Sequence, residues 1–110
     1  MAKFEKTVHG NFDEILSKIE RGILNGSLSA SLEEKSDFQS ENARCSVRVF
    51  ERYSYSGGNR VSLSVSLFQD YSCDDIFVSG IATGGSQATF FKINTWGEEA
   101  FLDKLKEILL

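Results

Sequence analysis

Between Ala43 and Tyr71 the chain reads ARCSVRVFERYSYSGGNRVSLSVSLFQDY, two long runs in which apolar and polar residues alternate on either side of a Gly-Gly pair. Period-two alternation is what a half-buried strand requires, and glycines between two such runs signal a hairpin. The centre of the chain is therefore committed to antiparallel sheet. On the first arm Cys45, Val47, Val49, Tyr53 and Tyr55 share one side, and Arg44, Ser46, Arg48, Arg52 and Ser54 share the other. On the second arm Val61, Leu63, Val65 and Leu67 oppose Ser62, Ser64 and Ser66. Hydrophobicity assigns the Cys-Val-Tyr side of the first arm inward.

Opposed residues share a face of the sheet, so these apolar sets coincide only when paired residue numbers sum to an even total. A three-residue loop, Gly57 to Asn59, meets that condition by pairing Tyr53 with Leu63 and Val49 with Leu67. It also supplies Gly or Asn for the positive φ such loops need. A five-residue loop keeps the same register.

The flanking segments supply helices and further strands. Ala2 to Val8 alternates weakly and reads as a first strand. Asn11 stands three residues before Glu14, a helix-start pattern, and Phe12, Ile15, Leu16, Ile19 and Ile23 follow at helical spacing. Asn25-Gly26 predicts a left-handed helix end. A strand is expected to begin at Leu28, with Phe38 carrying its inward face forward and Lys35 to Asn42 serving as an edge or a turn. Ile76 to Thr83 reads as another strand whose inward side is ambiguous between Phe77 and Ile81 on one face and Ile76, Val78 and Ala82 on the other. Gly80 within it suggests a bend or bulge. Ala88 to Ile93 reads as a last strand. Thr95, three residues before Glu98, predicts the cap of a closing helix, with Phe101, Leu102, Leu105, Ile108 and Leu109 along one side and Glu98 among the solvated residues.

At 110 residues, 41% hydrophobic and 25% charged, the chain has the size and composition of one globular domain spanning 1–110. The expected class is α+β, β-α-β(4-5)-α, one curved antiparallel sheet with two helices packed on one face. No apolar run approaches the roughly 20 residues of a spanning helix, so no membrane role is expected. The opening MAKFEKTVHG lacks the apolar core of a secretory signal, which makes a cytoplasmic location the expectation. Cys45 and Cys73 are then a reduced pair rather than a disulfide framework. A net charge of −4 opposes nucleic acid and anionic membrane as partners.

The inventory for catalysis is thin. His9 is the one histidine and has no assignable partner. Asp70, Asp74 and Asp75 have turn spacing rather than that of a cation loop. Gly84-Gly85-Ser86-Gln87 lacks the Gly-Lys-Ser/Thr of a phosphate loop. No catalytic, cofactor or metal site is expected. The outer side of the hairpin is more distinctive, since the alternation places Arg44, Arg48, Arg52 and Arg60 there with Phe50, Phe68 and the serine row. Such a face is either simply solvated, or a protein contact, or a nucleic-acid platform, the last opposed by the acidic total. The simplest contact is a two-fold homodimer made sheet to sheet, with Glu33, Asp37 or Asp70 offsetting the arginines.

The element order resembles the TATA-binding-protein-like class and its helix-grip relatives of the Bet v 1 and START type. The closing FFKINTWGEEAFLDKL, Phe90 to Leu105, is similar to that of short bacterial proteins of an uncharacterised family, a likeness that brings no known function. The helix-grip resemblance implies a pocket for an apolar molecule between the sheet and the C-terminal helix, for which Tyr53, Tyr55, Tyr71, Phe91 and Trp96 are the candidate lining. The same rings would equally serve as core. The expected role is a small non-catalytic cytoplasmic binding module that self-associates through the outer sheet face, with a small apolar-ligand binder as the alternative.

Overall fold

The computed structural model describes residues 1–53, 60–84 and 91–110, the last segment with side chains from residue 98 onward. The order is β1 (Ala2–His9), α1 (Phe12–Asn25), β2 (Ser31–Gln39), β3 (Ala43–Tyr53), β4 (Arg60–Asp70), β5 (Asp75–Gly84) and α2 (Phe91–Ile108). The strands form one antiparallel sheet in the order β1-β5-β4-β3-β2. Both helices bury their apolar sides against one face of it, giving an α+β fold of the β-α-β4-α kind.

Helix α1 starts as its sequence predicts. The Asn11 side chain accepts the Glu14 N–H at 2.9 Å, and Phe12, Leu16, Ile19 and Ile23 form the buried stripe. Its end differs from expectation, because Gly26 is right-handed, with φ −79°, and donates its N–H to the Ile23 carbonyl. The chain then turns before β2 begins at Ser31, which leaves Leu28 fully exposed instead of opening a strand. Gly22 marks where α2 crosses, since a Cβ there would lie 2.5 Å from Ile108 Cδ1.

Strands β4 and β5 bury Val61, Leu63, Val65 and Leu67 and Ile76, Val78 and Ala82, so the ambiguity of β5 resolves with Phe77 and Ile81 pointing away from the helices. Gly80 makes no bulge, and β5 pairs without interruption on both sides. A Cβ at Gly80 would instead collide with Leu105, so this glycine is what lets α2 lie close on the sheet.

Strand β3 corrects the main sequence expectation. Tyr53 pairs with Arg60, Phe50 with Leu63 and Arg48 with Val65, which is the odd-sum register. The three-residue loop expected at Gly57 to Asn59 lies outside the described residues, but the pairing of Tyr53 with Arg60 excludes its register. The helix side of β3 therefore carries Arg44, Ser46, Arg48, Phe50 and Arg52, while Cys45, Val47, Val49 and Tyr53 face outward. This is physically sound because Phe50 becomes completely buried, the guanidinium groups of Arg44 and Arg48 meet carboxylates and that of Arg52 lies over Phe101. A bulge at Glu33, between Leu32 opposite Phe50 and Glu34 opposite Val49, shifts β2 by one residue. That shift turns Phe38 outward and Asp37 toward Arg48.

The strand expected at Ala88 to Ile93 lies outside the described residues up to Phe90, and its last three positions, like the helix start expected at Thr95, are corrected. α2 already runs from Phe91, and Thr95 lies within it. β5 is flanked on both sides by β1 and β4, so Phe91 to Ile93 find no free edge beside it, whereas a helix satisfies its own backbone groups. Glu98 is buried rather than solvated. Its Oε2 accepts the Gly84 N–H at 2.5 Å, and Oε1 lies 2.5 Å from the Met1 amine without a well-angled hydrogen bond. Among the described residues no helix is long and apolar enough to cross a membrane.

Candidate interaction surface

Three of the four arginines that alternation assigns to the outer face lie on the helix side. Arg44 donates to both Asp13 carboxylate oxygens, at 3.0 and 3.3 Å, and its guanidinium carbon lies 4.0 Å from the centre of the Phe12 ring. Arg52 lies over Phe101 at 4.5 Å. Arg48, with a side chain only 6% exposed, meets Asp37 at 3.0 and 3.4 Å and Glu20 at 3.4 Å. It also donates to the carbonyls of Val47 and Ser36. Ser46 adds a 2.6 Å hydrogen bond to Asp37. That bond, and then Arg48, hold the Asp37 carboxyl below its ordinary pKa of 3.8. The arrangement clamps α1 to β2 and β3.

Of the residues expected on the outer face, then, Arg44, Arg48, Phe50 and Arg52 belong to the helix side, while Phe68 and the serines Ser62, Ser64 and Ser66 are outside. Arg60 is outside too, neutralised by Glu51 at 2.9 Å. The expected inner pocket is not assembled from the described residues. Tyr53 stands on the outer face with Arg60 5.6 Å from its ring centre, and the exposed Tyr71 hydroxyl accepts from Gln39 at 2.9 Å. Tyr55 and the side chains of Phe91 and Trp96 lie outside the described residues. Phe101, Leu102 and Leu105 are buried against the sheet in the place a helix-grip pocket would occupy.

The outer face itself is ordered in rows that run across the strands. One row is Thr7, Phe77, Phe68, Cys45, Phe38; the next is Glu5, Ser79, Ser66, Val47, Ser36; the third is Lys3, Ile81, Ser64, Val49, Glu34. The central strands β5, β4 and β3 contribute no charge to these rows, and the charges sit on the edge strands. Phe38, Phe77 and Phe68 are 64%, 49% and 42% exposed, far from the burial a core ring takes. Phe68 and Phe77 stack with centres 6.4 Å apart, beside a shallow groove of about 450 Å³ that Glu5, Thr7, Ser66 and Ser79 also line. No described element packs over this patch, and apolar patches with a polar rim are where proteins commonly meet partners.

Sequence reasoning missed Phe38, Phe77, Ile81 and the two valines as members of this surface. The signal available for β5 was its double-sided hydrophobicity, which places apolar residues on both faces of the sheet. Two further titratable groups make local contacts. His9 Nδ1 lies 2.7 Å from Asp75, and Asp70 accepts the Ser72 N–H at 2.9 Å, which lowers its pKa and fixes the turn. Among the described residues no three His, Cys, Asp or Glu side chains gather to hold a metal. Cys45 and Cys73 are free thiols, the first half-buried in the phenylalanine row and the second exposed in a turn.

The chain matches the family of unknown function DUF6054 over residues 1–110 and belongs to that family. No curated protein and no solved structure matches it.

Proposed function

We propose, for this member of a family without an assigned role, a small non-catalytic binding module that associates with a second copy of itself through the open sheet face. The observation that carries the reading is the uncharged centre of that face, where phenylalanines stand half exposed with no layer of described residues above them. Five strands spaced about 4.8 Å apart and about 30 Å long present a face on the order of 700 Å². A standard interface buries roughly 800 Å² per partner, so the face is of the right size for one.

The two sheet edges argue for association by the face rather than by strand addition. β1 carries Lys3, Glu5 and Lys6, and β2 carries Glu33, Glu34, Lys35 and Asp37 together with its bulge. Charges and bulges are what keep edge strands from pairing. The inward turn of Arg44, Arg48 and Arg52 also removes the like-charge repulsion that a sheet-to-sheet dimer would otherwise face. A cytoplasmic setting accords with the two free thiols.

Light scattering on the purified protein tests the reading. Twice the 12.3 kDa chain mass is expected, falling to one chain mass in Phe68→Glu with Phe77→Glu while the circular dichroism stays unchanged. A wild-type protein that remains a monomer at high micromolar concentration would sink it.

A further inference from the structure

The pattern of the rows determines how two copies meet. Resting on the self-association just proposed, we infer that the two-fold axis of the dimer runs along β4, with the strands of the two sheets aligned.

Two sheets packed with aligned strands can be related by an axis along the strands or across them, and a two-fold axis brings each residue on it against its own counterpart. With the axis along β4, each row meets the same row of the second copy in reverse order. Lys3 at one end of its row then meets Glu34 of the second copy, and Glu34 meets Lys3. Ile81 meets Val49, Ser79 meets Val47 and Phe77 meets Cys45, so the β5 positions of these three rows each find an apolar partner on β3, and in the row beyond them Thr83 meets Glu51. Phe68, Ser66 and Ser64 lie on the axis and meet themselves.

An axis across the strands matches less well. Through the middle row it sets Glu5 against Glu5 and Phe38 against Glu34. Half a row away it sets Cys45 against Glu51 and Phe68 against Ser62. Either placement turns a charge toward an apolar group or a like charge, which opposes association. Along β4, the opposite charges at the two ends of one row become complementary, and the face is self-complementary as a two-fold requires.

The test uses a background in which Cys45 and Cys73 are both replaced by serine. A single new cysteine is placed at Ser64→Cys or at Ser79→Cys, and each variant is treated with a short bismaleimide. The inferred axis predicts efficient crosslinking at position 64 and little at position 79, which stands one strand away from the axis. In parallel, Lys3→Glu and Glu34→Lys should each raise the dimer dissociation constant about three- to tenfold, and the double variant should restore it. Crosslinking at 79 rather than 64, or no rescue in the double variant, overturns the axis while leaving the dimer intact. Wild-type protein that is monomeric throughout overturns the self-association, and the axis with it.

Discussion

Phe50 stands directly opposite Leu63 in the β3–β4 ladder, and both side chains are completely buried between the sheet and the helices. This one pairing sets the orientation of β3, and with it which residues hold the core together and which are offered to a partner. Phe50→Ala should therefore cost about 3–5 kcal/mol, the range for emptying a core ring site, whereas Phe68→Ala should cost within about 1 kcal/mol. Urea unfolding of the two variants checks this, and equal losses would contradict the register.

Arg48 joins three elements through Glu20 on α1, Asp37 on β2 and its own place on β3. Arg48→Ala should destabilise the fold by about 2–3 kcal/mol, less than a fully buried pair would because Asp37 stays half exposed. A shift of the urea midpoint with an unchanged denaturant slope is the expected signature.

The same cluster makes part of the stability depend on pH. The folded pKa of Asp37 lies below its ordinary 3.8, so the folded state binds fewer protons at this site than the unfolded chain. Its contribution is complete above the unfolded value and fades as the pH falls through the folded one. Asp37→Asn should accordingly be less stable than wild type at pH 7, with the gap narrowing in acid below about pH 4. Unfolding curves at neutral and acid pH measure it, and a gap that widens in acid would reverse the assignment.

Gly80 faces Leu105 across the sheet–helix contact with no room for a Cβ. Gly80→Ala should destabilise by about 1–3 kcal/mol as an overpacked core site does, and pairing it with Leu105→Ala should give less than the sum of the two losses. A double-mutant cycle with no coupling would show that α2 does not rest on this glycine.

The two thiols report on the outer face. Cys45 lies in the phenylalanine row and Cys73 in an exposed turn. Alkylation of Cys45 should slow as protein concentration rises and the faces meet, while that of Cys73 should not change. Mass spectrometry of the labelled protein follows both at once.

Much of the architecture is legible in local pattern. The Asn11 cap, the stripe Phe12, Leu16, Ile19 and Ile23, the inward set Val61 to Leu67 and the buried side of α2 all come from interactions within a few residues of one another. Alternation also shows that β3 has two unlike faces. It does not say which one turns inward, because a Val-rich face and an Arg-rich face can each be covered if the right neighbours arrive.

The sequence by itself determined the class of the fold, its element order and the positions of helix α1 and strand β4, since these follow from periodicity and capping along the chain. Only the tertiary structure decided that Arg44 and Arg48 face inward, because the carboxylates that make this tolerable, Asp13, Glu20 and Asp37, come from α1 and β2, 31, 28 and 11 residues away. With those charges neutralised inside, burying Phe50 outweighs burying the smaller valines. The outer face is thereby left uncharged at its centre, which no local pattern in the chain displays.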